Sequence, residues 1–305
     1  MYVRILGSAA GGGFPQWNCA CALCAGVRAG AEGLRARTQT SAAVSADGER
    51  WFLLGCAPDV GVQLRAHPPL WPPTGRGSPV EGILLSSADV DATVGLFSLR
   101  EGAPLTVLGT AGVLEDVLSR NALAATLRRT PAQLQACALA LGEERLLRDR
   151  RGAPAGLGAV AFPVAGKVPP HLAGRASRPE DTIGLLVRDL ASGGRLAFVP
   201  CAGAIDAPLL AALEGADVVL FDGTFWSEDE LAAVSPGAPS ASAMGHLAID
   251  GPGGSLAALA GLGARLRLFV HVNNTNPVLR EHGPERGRVR ASGWEVAHDG
   301  MELRA

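Results

Sequence analysis

The sequence has no excess of positive charge, no long apolar run, and no histidine at the one turn where it would count most. Lys and Arg number 27 against 29 Asp and Glu, a formal charge of −2 with a pI near 6.3. No broad basic surface follows, so nucleic acid is not an expected partner. The opening MYVRILGSAAGGGFP is apolar over too few residues to span a bilayer. It also lacks the charged region, long apolar core and cleavage site of a signal peptide. These absences predict a cytoplasmic chain without a membrane span. No stretch is long and polar enough to serve as a linker, so residues 1–305 are read as a single domain. Gly11-Gly12-Gly13 is not followed by the helix and third glycine of a dinucleotide fingerprint. No serine nucleophile elbow occurs either. Between Leu84 and Ala92 an apolar strand runs into a carboxylate-rich turn holding Asp89 and Asp91. Position 92 offers only a methyl group, which has no lone pair for a metal.

What is present supports a large α/β core. Hydrophobic residues make up 48% of the chain, and 40 Gly with 21 Pro imply many turns without a repeat period. Strands are expected at Val3–Leu6, Gln39–Val44, Trp51–Leu54, Gly82–Leu85, Leu105–Leu108, Phe162–Val164, Ile183–Val187, Leu196–Val199, Val218–Phe221 and Leu266–Val272. The run Val218-Val219-Leu220-Phe221 suits a strand buried on both faces. Helical spacing is expected over 59–66, 92–101, 209–213 and 255–262, and over most of 112–150. Hairpins at both ends and two similar halves predict two mixed sheets packed face to face with helices outside, an αββα sandwich.

Two groups of residues could carry chemistry. Cys19, Cys21 and Cys24 crowd into six of the chain's 305 residues, a poor disulfide framework but a good clip for a structural Zn2+. A fourth donor would come from elsewhere, most plausibly a histidine; three ordinary cysteines are the plainer alternative. Cys56, Cys137 and Cys201 stand alone and read as small buried hydrophobes. The second group is Asp89, Asp91, Asp222 and His271, at the ends of apolar strands, where open α/β folds gather sites. Carboxylates with an imidazole suit iron, manganese or zinc. For Asp89 and Asp91, simple capping of the next helix is an open alternative. His246, in Met244-Gly245-His246 beside that rim, is a candidate general acid or base. His67, His171, His282 and His298 read as surface or loop residues.

The stretches GSAAGGGFPQWNC (7–19) with Cys21 and Cys24, Arg37-Thr38-Gln39, Pro58-Asp59, GLFSLREG (95–102), Phe221-Asp222-Gly223-Thr224, Met244-Gly245-His246, Gly251–Gly254 and HVNNTNP (271–277) resemble the pyrroloquinoline quinone (PQQ) biosynthesis protein B family. That resemblance spans nearly the whole chain. It implies a metallo-β-lactamase fold and a part in making PQQ from a ribosomal peptide. It further implies iron- and oxygen-dependent hydroxylation of the tyrosine ring in a peptide-derived Glu–Tyr intermediate, or alternatively a carrier that moves PQQ or its precursor toward the periplasm. By position it implies zinc on the cysteine trio, and Fe2+ or another divalent ion near Asp89, Asp91, Asp222 and His271, with His246 and Asp91 in catalytic roles. His271 could instead serve the zinc. The partners it is compatible with are the small or peptide-derived PQQ precursor, other PQQ biosynthesis proteins and a second copy of the chain. Family members usually carry Asp-His where this chain has Asp91-Ala92, and the loss of that imidazole implies weaker metal binding and a freed coordination position.

Overall fold

The structure, a computed structural model, describes residues 1–130, 133–172 and 174–305. The first sheet contains β1 (Tyr2–Gly7), β2 (Ser41–Ser45), β3 (Trp51–Leu54), β4 (Val80–Leu84), β5 (Leu105–Gly109) and β6 (Leu134–Ala138). The second contains β7 (Glu144–Arg148), β8 (Pro154–Pro163), β9 (Ile183–Asp189), β10 (Arg195–Val199), β11 (Val218–Asp222), β12 (Leu266–Val270) and β13 (Glu295–Val296). The last strand, β14 (Glu302–Arg304), returns to the first sheet and pairs antiparallel with β1. The two seven-stranded orders are β14-β1-β2-β3-β4-β5-β6 and β13-β12-β11-β10-β9-β8-β7. Each sheet is antiparallel through one part and parallel through the other: β3 to β6 run parallel, as do β10 to β13.

Strand periodicity explains the sandwich. On β10, Leu196 and Phe198 face the core between the sheets, with Val3, Ile5, Val44, Phe52 and Leu84 opposite. Ala197 and Val199 face outward, against Leu209 and Leu213 of the helix Ala207–Leu213. On the other sheet, Leu53, Ile83 and Val107 point outward to Val60 of the helix Val60–Ala66 and to Val113. Alternate side chains (period 2) thus both find apolar cover, which is why these strands read as unbroken apolar runs.

Two helical expectations fail. Within 112–150, residues 131 and 132 lie outside the described set, but Leu134–Ala138 is a strand pairing with β5, and Glu144–Arg148 is a strand pairing with β8. Sheet-edge pairing overrides the modest helix preference of Leu, Ala and Arg. The helix expected at 92–101 is a single turn, Val90–Thr93, followed by a 3₁₀ stretch, Val94–Ser98. Ala92 O and Gly95 N bond the backbone of Cys56 instead of continuing the helix. A Cβ on Gly95 would lie 2.1 Å from Ala57 O, so the chain docks there only as glycine. No helix among the described residues is long and apolar enough to cross a membrane.

Candidate metal centre

Parallel register gathers the second group. Val199, Phe221 and Phe269 lie side by side on β10, β11 and β12. The residues that follow, Cys201, Asp222 and His271, therefore emerge at one rim. From the first sheet, the turn after β4 brings Asp89 and Asp91 to the same place, and His246 arrives on the loop after a 3₁₀ turn at Ser242–Met244. Asp89, Asp91, Lys167, Cys201, His246 and His271 line a cavity of about 130 Å³. Lys167 is the chain's only lysine. The glycine-rich loop after β1 closes in from one side: a Cβ on Gly11 would come 3.2 Å from Asp91 Oδ2.

Hydrogen bonding fixes the imidazoles. Thr224 Oγ1 lies 2.6 Å from Asp222 Oδ1 and donates its proton there, because a carboxylate only accepts. The same oxygen must then accept from His271 Nδ1–H, 2.8 Å away. Asp222 Oδ2 accepts from Ala202 N–H and from His246 Nδ1–H, each at 2.8 Å. Both rings are thereby held as Nδ1–H forms, with Nε2 of each left for the cavity. The rings stack with centroids 5.3 Å apart. His271 also sits at φ +57°, a backbone region costing a non-glycine residue roughly 1–3 kcal/mol.

His271 Nε2 faces Asp91 Oδ2 at 3.0 Å. With Nδ1 already protonated, that contact is attractive only with a second proton on the ring or a cation shared by the two groups. Burial opposes charge on His271, but the bond to Asp91 and the charges of Asp91, Asp222 and Asp89 raise its pKa. Burial would lift Asp91, yet the bond from His271 and its charge hold it below the usual carboxylate range. Burial, aided by Asp91, pushes Asp89 upward.

The expected residues divide unevenly. Asp89, Asp91, His246 and His271 all reach the cavity. Asp222 does not: fully buried, it spends both oxygens on protein donors and orients His246 from behind. Asp89 makes no side-chain cap bond to the helix after it, which removes the capping alternative for that residue. Cys201 is not a buried bystander: its sulfur and one nitrogen each of His246 and His271 lie within 4.8 Å of one another. The signal for it was its place just past an apolar strand, the same position class as Asp222 and His271. His67, read as a surface or loop residue, lies in the connection after Ala66 but is 5% exposed, and its burial lowers its pKa.

The three cysteine sulfurs also lie within 4.8 Å of one another. Cys21 is the N-cap of the short helix Ala22–Arg28; its Sγ accepts from Cys24 N–H at 3.5 Å, and Cys19 Sγ accepts from Cys21 N–H at 3.4 Å. Burial opposes ionisation of Cys21, but these N–H and sulfur contacts lower its pKa; burial pushes Cys24 up to about 11. The expected histidine is missing from this group among the described residues. Asn274 stands there instead, its Nδ2 3.4 Å from Cys24 Sγ and its carbonyl oxygen accepting from Cys21 Sγ at 3.8 Å. His271 is turned the other way, its Nε2 toward Asp91 and the cavity.

A family profile described as a beta-lactamase superfamily domain matches residues 50–272. "Coenzyme PQQ synthesis protein B" of Methylorubrum extorquens (strain PA1) is 42% identical over 308 residues, covering 99% of each chain. The protein of that name from Pseudomonas putida (strain W619) is 42% identical over 305 residues, again 99% of each. The chain belongs to the coenzyme PQQ synthesis protein B family. A crystal structure of Zn(2+)-bound PqqB from Methylobacterium extorquens superposes on it with a TM-score of 0.93 at 42% identity, covering 100% of both chains. A diphosphatase of the PhnP family, 18% identical over 100% of this chain and 97% of its own, shares the fold with a TM-score of 0.68. The architecture is the metallo-β-lactamase fold, as the family resemblance implied.

Proposed function

We propose that this chain acts in PQQ biosynthesis as a metal-dependent oxygenase of the tyrosine ring in a peptide-derived Glu–Tyr intermediate. The observation that carries the reading is the pair of imidazoles locked as Nδ1–H forms with Nε2 turned toward Asp91 and the cavity. That is a donor set built for a divalent cation, with its outer carboxylate in place. His246, His271 and Asp91 would hold the metal, and the cysteine trio would hold a zinc of structural purpose. His246 moves in this reading from proton carrier to ligand, because its free nitrogen converges on the same point as that of His271.

Iron bound there supplies the redox chemistry that activates dioxygen. In the overall reaction a ring C–H becomes C–OH, one oxygen atom enters the ring, the other leaves as water, and an external reductant provides two electrons. Asp89, raised in pKa at the cavity wall, takes or returns the ring proton. Lys167 meets a substrate carboxylate, which a Glu–Tyr derivative carries.

The test is to supply purified protein with Fe(II), a reductant, dioxygen and the crosslinked intermediate, and to follow the intermediate by mass spectrometry. Gain of one oxygen atom is expected, and Lys167→Met should weaken binding of the intermediate while leaving metal uptake unchanged. The carrier reading has one observation in its favour, the methyl group of Ala92, which lines the small void beside the cavity and offers no donor. Tight binding of PQQ or its precursor with no mass gain would replace the oxygenase with a carrier.

A further inference from the structure

Position 92 gives the rim no donor, and the side of the site it faces is not filled. A small void of about 20 Å³ lies there, lined by Ala92, Asp91, His271 and Cys201. Cys201 also lines the main cavity, so it stands where the two spaces adjoin. Its sulfur shares a 4.8 Å neighbourhood with one nitrogen each of His246 and His271. Those two rings are 8% and 7% exposed, and among the described residues the hydrogen bonds of His246 engage Nδ1 alone, so its Nε2 is a buried lone pair aimed into the cavity. Cys201 is held from behind as well: the next residue, Ala202, gives its N–H to Asp222 Oδ2, the oxygen that also orients His246. One carboxylate therefore sets the positions of both donors.

We propose that Cys201 is a metal ligand, its thiolate completing with Asp91, His246 and His271 a four-donor site in which sulfur takes the place position 92 leaves empty. A thiolate is softer than an imidazole and carries a full charge. The resulting site favours Zn(II), Co(II) or Fe(II) over Mg(II) or Mn(II). Metal uptake must release the thiol proton, so it grows stronger as pH rises. The inference rests on the reading that the cavity binds a metal.

Protein carrying one equivalent of Zn(II), which fills the cysteine trio, is titrated with Co(II) under reducing, anaerobic conditions, with zinc content held at one equivalent. A thiolate-to-cobalt charge-transfer band should grow with the second equivalent. X-ray absorption at the cobalt edge should report one sulfur neighbour in the wild-type protein, a readout that needs no variant. Cys201→Ser should abolish both and weaken Co(II) binding by about tenfold or more. A second metal bound through nitrogen and oxygen alone would overturn the thiolate assignment while leaving the metal-site reading intact. No second equivalent bound at all would overturn the metal-site reading itself.

Discussion

The two candidate metal sites of this chain are built by opposite means. The cysteine cluster is local: three sulfurs from one short loop, two of them accepting backbone N–H bonds as a helix begins. The rim cavity is assembled from the ends of β4, β10 and β12 and a loop, with residues from 89 to 271. The first draws its sulfurs from its own segment and takes only Asn274 from elsewhere. The second exists only when both sheets are in register, and its imidazoles are oriented by groups behind them, Asp222 and Thr224 above all. A local clip tolerates change elsewhere, whereas a convergent site inherits every error of the fold.

The largest effect that would break the comparison is on the clip. Cys24→Ser should remove one equivalent of zinc and lower the melting temperature by about 5–10 °C, read by metal analysis and calorimetry. An unchanged zinc content would show that the trio is not a binding unit. Next, Asp222→Asn should weaken metal binding at the cavity by about 10–100-fold and leave the cysteine zinc in place, measured by titration of the zinc-loaded protein. Loss of both metals together would mean the two sites are not separable. Ala92→His should strengthen binding at the cavity by about tenfold in a calorimetric titration; an unaltered affinity would show that the void beside position 92 is no part of the site.

The smallest effect concerns protons in the metal-free protein. His271 has a raised pKa, so its contribution to stability is complete below the ordinary histidine value of 6.5 and is lost as pH rises through the raised value. Asp91, with a lowered pKa, contributes above its ordinary 3.8 and loses that contribution as pH falls through its depressed value. Between those limits the pair supports the fold. Asp91→Asn should bring the His271 titration down toward its ordinary range in NMR spectra. A midpoint that stays put would assign the shift to other groups.

Much of this was legible beforehand because apolar runs in a sheet buried on both faces advertise themselves. Val218–Phe221 and Leu196–Val199 are strands as read, the strand read over Leu266–Val272 ends at Val270, and the polar residues after them do meet. The misses have physical causes. Leu134–Ala138 carries a helical composition, and only its partner β5 makes it a strand. Cys201 has the size and polarity of a core residue, and nothing within the linear order says that two imidazoles will turn toward it. Asp222 stands at the rim as read, and its oxygens accept from Ala202, Thr224 and His246, an orientation that depends on a side-chain rotation periodicity does not encode.

The segment from His271 to Asn276 touches both sites. His271 points into the cavity, and three residues later Asn274 holds Cys21 and Cys24. Oxidants that reach the half-buried sulfurs of Cys19 and Cys21 would thus act at a distance: once the clip lets go, the turn that keeps His271 in its costly left-handed backbone loses its anchor. If the cavity binds a metal as proposed, its loss under oxidative stress would then begin at the cysteines, and reduction followed by zinc would restore what metal added to the cavity alone could not.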